Sequence, residues 1–291
     1  MRIAMTHTRL RAEERLLLDA FENLGAVVEL IDLRRVVFDP TDVADWARFD
    51  AVVDRSVSLT ASLVAVRVLE GLGIRCINPA RVIETCSDKL ATSIALAGAG
   101  IAQPSVRVAT SEEAGVEAVE QIGYPAVLKP TVGSWGRLVA RLNDRDATEA
   151  VLEHRRTLGS AQQGVFYVQQ HINKPDRDIR VFVVAGEPVA AIMRHSEHWV
   201  TNTARGAQVE GLEISSEMGA LCRAAATAVG ADAVAVDVLE CPDRGLLVNE
   251  LNHSMEFRNS IGATGVNIPR LIAQHVLQIA EQTRQAVGVG R

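Results

Sequence analysis

The sequence predicts an α+β protein that begins with a smaller α/β unit. Over the first ~80 residues, short apolar strands alternate with helical patterns, which is typical of a parallel sheet with helices on its faces. From about residue 172, successive strands are joined by tight turns, which is typical of antiparallel hairpins. The chain has 291 residues, of which 48% are hydrophobic. It is therefore long enough for two or three subdomains.

The N-terminal unit is predicted from its hydrophobic periodicity. Strand patterns cover residues 2–7, 26–33, 49–57 and 74–78. Helical patterns cover residues 12–25 and 60–73. The first helical pattern ends in a glycine, which is a common helix stop. No G-x-G-x-x-G follows the first strand, so a dinucleotide site at this position is not supported.

The remaining elements follow from the same patterns. A helix at about 80–100 is interrupted near Ser87. Further strands are predicted at 104–110, 124–130, 138–144, 164–172, 233–240 and 246–252, with a hairpin at 178–196. Further helices are predicted at 111–123, 147–159, 216–230 and about 268–284. The tail at residues 286–291 is expected to be disordered.

Composition excludes several classes of function. The net charge of −6 argues against non-specific nucleic-acid binding, which needs a basic surface. No apolar run approaches the ~18 residues of a membrane span, and the N-terminus lacks the pattern of a secretory signal. The cysteines are scattered and are expected to be buried thiols; they are Cys76, Cys86, Cys222 and Cys241. A reduced, cytoplasmic protein is therefore expected.

The last two strand patterns predict a metal site. Glu250 and Asn252 are two residues apart on one strand, so they lie on the same face. A turn centred between Asp243 and Arg244 places Asp237 directly opposite Glu250. Two carboxylates and an amide oxygen form a hard cluster suited to Mg²⁺. The alternative is that these are solvated polar residues at a strand end.

A second group of residues is suited to phosphate binding. Lys129 ends an apolar strand, and Gly133 and Gly136 follow in a loop whose backbone N–H groups could close over phosphate oxygens. The loop lacks the spacing of a Walker A motif, and no protein-kinase motifs accompany it. Lys89 is a second candidate. A surface lysine at a strand end is the alternative interpretation of Lys129.

These features occur in the order found in ATP-grasp ligases. Lys89, Lys129 and the strings GSWGR, YVQQHI, DIRVFVV and NELN resemble the RimK/LysX branch of that family. The longer strings DIRVFVVAGEPVAAIMRHSEHWVTNTARGAQ and LLVNELNHSMEFRNS are similar to its α-aminoadipate–carrier-protein ligases. The similarity covers nearly the whole chain. Two departures lie near the expected substrate pocket: residues 262–265 keep only part of a T-T-G string, and Arg258 stands where lysine is common.

The resemblance implies an α+β ATP-grasp fold behind an α/β pre-ATP-grasp unit. It places a pre-ATP-grasp subdomain at residues 1–85, a central subdomain at 86–170 and a C-terminal subdomain at 171–284, followed by the tail 285–291. ATP is expected between the central and C-terminal subdomains. A homo-oligomer, either a dimer or a tetramer, is also implied.

The resemblance further assigns roles to matched residues. ATP contacts are implied for Lys89, Lys129, Gly133, Ser134, Trp135, Gly136, Arg137, Gln169, Gln170, His171, Ile172, Asp178, Arg180 and Asn202. Substrate contacts are implied for Arg194, Thr203, Ala204, Glu256, Phe257, Arg258, Asn259 and Ser260. The implied metal ligands are Asp237, Glu250 and Asn252, in agreement with the hairpin argument. Arg205 is the catalytic candidate, stabilising an acyl phosphate and a tetrahedral oxyanion.

The implied reaction joins the α-amino group of α-aminoadipate to the C-terminal glutamate side chain of a small acidic, LysW-type carrier protein. It uses ATP and two Mg²⁺ ions and belongs to lysine biosynthesis. ATP converts the carboxylate to an acyl phosphate, and a glycine loop excludes water from that intermediate. A local basic patch for the carrier is one interpretation of Arg9, Arg11, Arg34 and Arg35, and scattered surface arginines are the other.

Other functions remain open at the level of sequence. The same chemistry could use glutamate, as in arginine biosynthesis, or an unusual amino acid in a carrier-dependent secondary pathway. Glutamate ligation to a ribosomal protein is a broader alternative. A nucleotide-binding scaffold without turnover is a different class, and the intact set of candidate site residues argues against it. One methylene in a pocket typically changes binding by only ~1–3 kcal/mol, so a few substitutions could change the preferred amine.

Overall fold

A computed structural model describes residues 1–133, 137–196, 198–199, 201 and 208–289, without the side chains of 161, 162 and 286–289. The N-terminal sheet has four parallel strands in the order β2-β1-β3-β4. They are β1 (Arg2–His7), β2 (Val27–Asp32), β3 (Ala51–Asp54) and β4 (Cys76–Ile77). Helices α1 (Ala12–Asn23) and α2 (Leu59–Gly71) connect them. The predicted parallel α/β unit is therefore confirmed.

The ends of the helices follow from their sequence. Helix α1 begins after Arg11, whose backbone N–H donates to Oε2 of Glu14 in the first turn at 2.7 Å. Two further helices, α3 (Ala80–Ser87) and α4 (Lys89–Gly98), account for the predicted interruption near Ser87. The carboxylate of Asp88 accepts hydrogen bonds from the N–H groups of Leu90 and Ala91, so it starts a new helix there.

The central sheet has four antiparallel strands in the order β5-β8-β6-β7. They are β5 (Val106–Ala109), β6 (Ala126–Lys129), β7 (Ala140–Leu142) and β8 (Phe166–Gln170). Helices α5 (Glu112–Ile122) and α6 (Arg145–Leu158) cover one face and close a core around Val119, Leu152 and Phe166. Lys129 is the last residue of β6 and is paired with Tyr167 of β8.

The C-terminal sheet has five antiparallel strands in the order β11-β10-β9-β12-β13. They are β9 (Arg177–Val184), β10 (Glu187–His195), β11 (Gln208–Leu212), β12 (Ala233–Cys241) and β13 (Gly245–Asn252). The accompanying helices are α7 (Ser216–Val229), α8 (Arg258–Thr264) and α9 (Ile268–Val289). Phe182 and Ala235 face α1 and α9, whereas Val181 and Val236 face α7. The C-terminal sheet therefore packs directly against the N-terminal unit.

The structure corrects the predicted elements in three places. Strand β11 and helix α8 were not predicted, because each is short and lacks a clear period. The prediction of a disordered tail is wrong for residues 286–289, since α9 continues to Val289. After Pro269 in its first turn, no glycine or proline occurs in this helix before Gly288. The four cysteines are buried free thiols, as predicted.

None of the helices in the described part of the chain combines the length and the apolar composition that a bilayer-spanning helix requires.

Candidate active site

A cavity of about 560 Å³ lies where the central sheet, the C-terminal sheet and the N-terminal unit meet. Many of the predicted site residues line it. They are Lys89, Lys129, Gly133, Gln169, Gln170, His171, Ile172, Asp178, Arg180, Arg194, Asp237, Glu250, Asn252 and Glu256. The fold therefore brings residues that are up to 167 positions apart in the sequence, from Lys89 to Glu256, to one cavity.

Strands β12 and β13 bring the predicted metal ligands together. Asp237 is paired directly with Glu250, as the hairpin argument predicts. Asn252 is paired with Ala235, so its side chain lies on the same face of the sheet as the two carboxylates. Its Nδ2 atom lies 3.4 Å from Oδ2 of Asp237. The three side chains therefore form one polar group at the end of the hairpin.

The turn between these strands differs from the prediction. The last pair before the turn is Cys241 with Gly245, so the turn is centred on Asp243 rather than between Asp243 and Arg244. A β-bulge then leaves Asn249 without a partner residue on β12 and shifts the register by one. The predicted turn centre is wrong, and the pair of carboxylates forms because the bulge compensates for it.

Asp237 belongs to a buried row of alternating charges. Arg180 donates to both of its oxygens, from Nε at 2.7 Å and from Nη2 at 2.8 Å. Arg194 lies 3.2 Å from Oδ2 of Asp237 and donates to Asp178 at 2.6 Å. Burial alone would raise the pKa of Asp237, but the two guanidinium groups outweigh it and hold the pKa at about 2. Asp237 is therefore an anion at neutral pH.

The donor set fits a hard divalent cation. Asp237 and Glu250 supply carboxylate oxygens and Asn252 supplies an amide oxygen, which is the type of set that Mg²⁺ prefers. Among the described residues, no cluster of three or more His, Cys, Asp or Glu side chains could hold a metal. The third oxygen here belongs to an amide, so an all-oxygen site at the hairpin is compatible with that finding.

The two predicted phosphate-binding lysines lie beside the acidic hairpin. Lys89 is largely buried; its Nζ donates to the carbonyl oxygen of Gly133 at 2.9 Å and lies 3.7 Å from Oε1 of Glu250. Lys129 donates to Oδ1 of Asn249 at 3.0 Å. Burial lowers the pKa of Lys129 to about 8, although the charge of Glu250 opposes this shift. Both ammonium groups therefore face the cavity next to the acidic hairpin.

The segment from Gln169 to Ile172 forms another wall of the cavity. Gln169 and Ile172 are buried, and Ile172 packs against Leu239 and Leu247 of the hairpin. The ring of His171 lies 6.1 Å from the ring of Trp199, centroid to centroid. An apolar wall of this kind is suited to a flat heteroaromatic ring.

Several other predicted residues lie elsewhere. Arg258, Asn259 and Ser260 line a second cavity of about 50 Å³, whereas Phe257 is fully buried in the core. Arg137 is exposed and does not line either cavity. Ser134, Trp135, Gly136, Asn202, Thr203, Ala204 and Arg205 lie outside the described residues. Their predicted roles therefore stay predictions.

Two groups of cavity residues were missed by sequence reasoning. Asn249 contacts Lys129 only because of the bulge, and no local pattern indicates a bulge at this position. Arg11 and Ser56 enter the cavity from the N-terminal unit. The i, i+3 spacing of Arg11 and Glu14 indicates an ion pair on a helix and not a site.

Paired lysines facing an acidic hairpin, in a cavity between two antiparallel sheets, define the class of the protein as an ATP-dependent ligase with the ATP-grasp fold. The profile of the RimK-like ATP-grasp domain matches residues 86–276, and that of the LysX pre-ATP-grasp domain matches residues 3–85. The chain belongs to the RimK-like ATP-grasp family. ATP-grasp ligases in general use ATP and Mg²⁺.

Individual relatives agree with this assignment. The chain is 31% identical to the α-aminoadipate–LysW ligase LysX of Sulfurisphaera tokodaii over 279 residues, which cover 95% of this chain and 98% of that protein. It is 32% identical to the glutamate–LysW ligase ArgX of the same organism over 278 residues, with the same coverage. A RimK-domain ATP-grasp protein of Sphaerobacter thermophilus has a similar structure, with a TM-score of 0.77 and 28% identity over 95% of this chain and all of that chain.

Proposed function

We propose that this protein uses ATP to join the α-amino group of α-aminoadipate to the C-terminal glutamate side chain of a small acidic, LysW-type carrier protein. The cavity in which two lysines face the Asp237–Glu250 pair is the observation that carries the proposal. It combines sites for phosphate and for a divalent cation in one space, as activation of a carboxylate by ATP requires. The carrier is supported by relatives whose names include LysW.

The described residues divide the work of the first half-reaction. Lys89 and Lys129 bind the phosphates of ATP and neutralise their charge, and the backbone of residues 169–172 binds the adenine. Magnesium, bound as two ions by Asp237, Glu250 and Asn252, would supply further charge neutralisation at the transferred phosphoryl group. Asp178 and Arg180 lie beside the nucleotide. The carrier carboxylate attacks the γ-phosphoryl group, and ADP leaves.

In the second half-reaction the amino group attacks the carbonyl carbon of the acyl phosphate. A C–N bond forms, inorganic phosphate leaves and the amine loses a proton. Charge develops on the carbonyl oxygen in this step. Arg205, outside the described residues, is proposed to stabilise that charge. The loop at residues 133–137 is proposed to exclude water, since water would hydrolyse the intermediate.

The amino acid is proposed to lie towards the smaller cavity. Arg180, Arg194 and Glu256 line both cavities, so the smaller one is a side pocket of the larger one. Arg258, Asn259 and Ser260 lie at its far wall. Cationic and amide groups of this kind suit the carboxylates of a dicarboxylic amino acid. This supports aminoadipate and does not distinguish it from glutamate.

A glutamate-specific ligase is the second candidate. The observation in its favour is that the identities to LysX and to ArgX of Sulfurisphaera tokodaii are nearly equal, at 31% and 32%. The two substrates differ by one methylene group, which a pocket typically distinguishes by only ~1–3 kcal/mol.

The proposed basic patch has little support among the described residues. Arg11 is paired with Glu14 and Glu256 at the cavity, and Arg34 is paired with Asp32. Both cations are therefore already partly neutralised. Carrier docking through the remaining arginines, Arg9 and Arg35, would be lost on substitution to Glu and would weaken with salt.

Trapping of the acyl phosphate tests the chemistry directly. The enzyme is incubated with Mg-ATP, the carrier and hydroxylamine, in the absence of any amino acid. A carrier hydroxamate, together with carrier-dependent ADP, is the expected result. ADP formation that is independent of the carrier, with no hydroxamate, would contradict the proposal.

A further inference from the structure

A buried ion pair in the N-terminal unit lies next to the candidate active site. Arg55, just after β3, and Glu14, in α1, have side chains that are only 5% and 0% exposed. Nε of Arg55 lies 3.1 Å from Oε1 of Glu14. Burial lowers the pKa of Arg55. A buried pair is costly unless further hydrogen bonds satisfy it, so its other partners show what it holds.

Those partners are in the segment that follows the metal-site strand. Nη2 of Arg55 donates to the carbonyl oxygen of Met255 at 3.1 Å, and its guanidinium lies 5.8 Å from the centre of the Phe257 ring. The carboxylate of Glu14 accepts from Nη2 of Arg11 at 2.8 Å and from its backbone N–H at 2.7 Å. Residues 255 and 257 are therefore held from the N-terminal side.

The same network reaches Glu256. Nη1 of Arg11 lies 3.5 Å from Oε1 of Glu256, whose side chain is 38% exposed. Burial raises the pKa of Glu14, but the hydrogen bond and charge of Arg11 and the charge of Arg55 outweigh it, so Glu14 stays ionised. A fixed anion in α1 thus orients Arg11, and Arg11 orients Glu256.

Glu256 stands at the boundary between the large cavity and its side pocket, together with Arg180 and Arg194. Both arginines have carboxylate partners in the buried row that includes Asp237. Glu256 therefore places a partly exposed anion at the entrance to the pocket proposed for the amino acid. An anion at this point suits the ammonium group of a free amino acid.

We infer that Glu14 and Arg55 are positioning residues for the amino acid: they hold Glu256 where its carboxylate binds the amino group of the incoming amino acid. This inference rests on the proposed function. It assigns the N-terminal unit a role in the second half-reaction, because Glu256 lines the side pocket and the two lysines do not. ATP binding and carrier activation do not depend on it.

Conservative substitutions separate the two half-reactions. Glu14→Gln keeps the shape of the side chain and removes its charge. Arg55→Lys keeps the charge and removes the guanidinium group that contacts two partners. Glu256→Gln removes the carboxylate that is proposed to bind the amino group. Hydroxamate formation from the carrier should stay within about twofold of the parent in all three. The KM for the amino acid and its calorimetric Kd in the presence of ADP should rise roughly 10-fold to 100-fold, as for loss of a charge-assisted hydrogen bond. Glu29→Gln, in the exposed Glu29–Arg48 pair, is the matched control and should change neither.

The outcomes distinguish this inference from the proposed function. Parental affinity for the amino acid in all folded variants would overturn the inference, as would a parent enzyme that binds neither aminoadipate nor glutamate. An equal loss of hydroxamate formation and amino-acid affinity would also overturn it, since the network would then stabilise the whole site and not position the amino acid in particular. Absence of hydroxamate in the parent refutes the proposed function, and the calorimetric result still tests the network. Thermal unfolding identifies variants that do not fold.

Discussion

The ammonium group of Lys129 donates to Oδ1 of Asn249 at 3.0 Å, and this contact joins the end of β6 in the central sheet to the bulge in β13. Burial lowers the pKa of Lys129 to about 8. One of the two cations proposed to bind ATP phosphates therefore loses its charge slightly above neutral pH. The contact also ties that cation to the strand that carries Glu250 and Asn252.

We expect the affinity of the free enzyme for ATP to fall as the pH rises through about 8. Neutral lysine attracts phosphate oxygens less than the ammonium ion does. The Kd of a non-hydrolysable ATP analogue, measured from about pH 7 to about pH 9.5, would show the inflection. Lys129→Met should bind the analogue more weakly, and its Kd should show no inflection in this pH range. An inflection that persists in Lys129→Met would assign the titration to another group.

The lowered pKa of Lys129 makes stability rise with pH, whereas it makes ATP affinity fall. The pKa of Lys129 is about 8 in the folded protein and about 10.5 in the unfolded chain. Between these values the unfolded chain binds more protons, so this group makes the ligand-free protein more stable as the pH rises through that window. Denaturant unfolding at several pH values should show a steeper rise for the parent than for Lys129→Met. Identical slopes would contradict the shift.

Substitutions of Asn249 should move this titration in opposite directions. Asn249→Ala leaves the buried ammonium without its acceptor, so we expect the pKa of Lys129 to fall further and the inflection in ATP affinity to move to lower pH. Asn249→Asp adds a negative charge and should move the inflection to higher pH. ATP titrations of the two variants test this, and a common inflection in both would show that the contact does not set the pKa.

Asp237→Asn should abolish turnover. The substitution removes an ionised carboxylate that is proposed to bind the metal, and it leaves Arg180 and Arg194 without their shared carboxylate. Loss of one partner from a buried pair typically costs about 3–5 kcal/mol, so the free energy of unfolding must be measured alongside activity. Glu240→Gln, in the half-exposed pair with Arg177 on the same sheet, is the matched control and should retain activity. Parental turnover in folded Asp237→Asn would refute the metal assignment.

Two helical glycines should respond differently to alanine. A Cβ atom at Gly115, in α5, would lie 2.7 Å from Cδ1 of Leu152 and 3.1 Å from Cδ2 of Phe166. We expect Gly115→Ala to destabilise the protein by about 1–3 kcal/mol, because it overpacks the central core. Gly71 ends α2 with no atom within 4 Å of a Cβ, so Gly71→Ala should be neutral or stabilising by up to about 1 kcal/mol. Chemical denaturation measures both, and a reversed order would contradict the described packing.

Local sequence patterns predicted the elements well and the site only in part. The carboxylates of Asp237 and Glu250 lie on two strands joined by a short turn, so local patterns place them near each other, but their direct pairing also needs the bulge at Asn249. Local sequence patterns do not predict the bulge at Asn249, because it depends on how β13 packs against the rest of the fold. The link from Glu14 through Arg55 to Met255 spans 200 positions in its longer step. Hydrophobic periodicity along the sequence does not predict a contact between residues so far apart.

The central claim is tested most directly by the intact mass of a LysW-type carrier protein after incubation with this enzyme and Mg-ATP, offering α-aminoadipate and glutamate separately. The proposed function predicts a mass gain of one aminoadipate residue with aminoadipate, and none when ATP is omitted. A gain with glutamate alone would move the protein to the second candidate function. No gain with either amino acid would contradict the proposal.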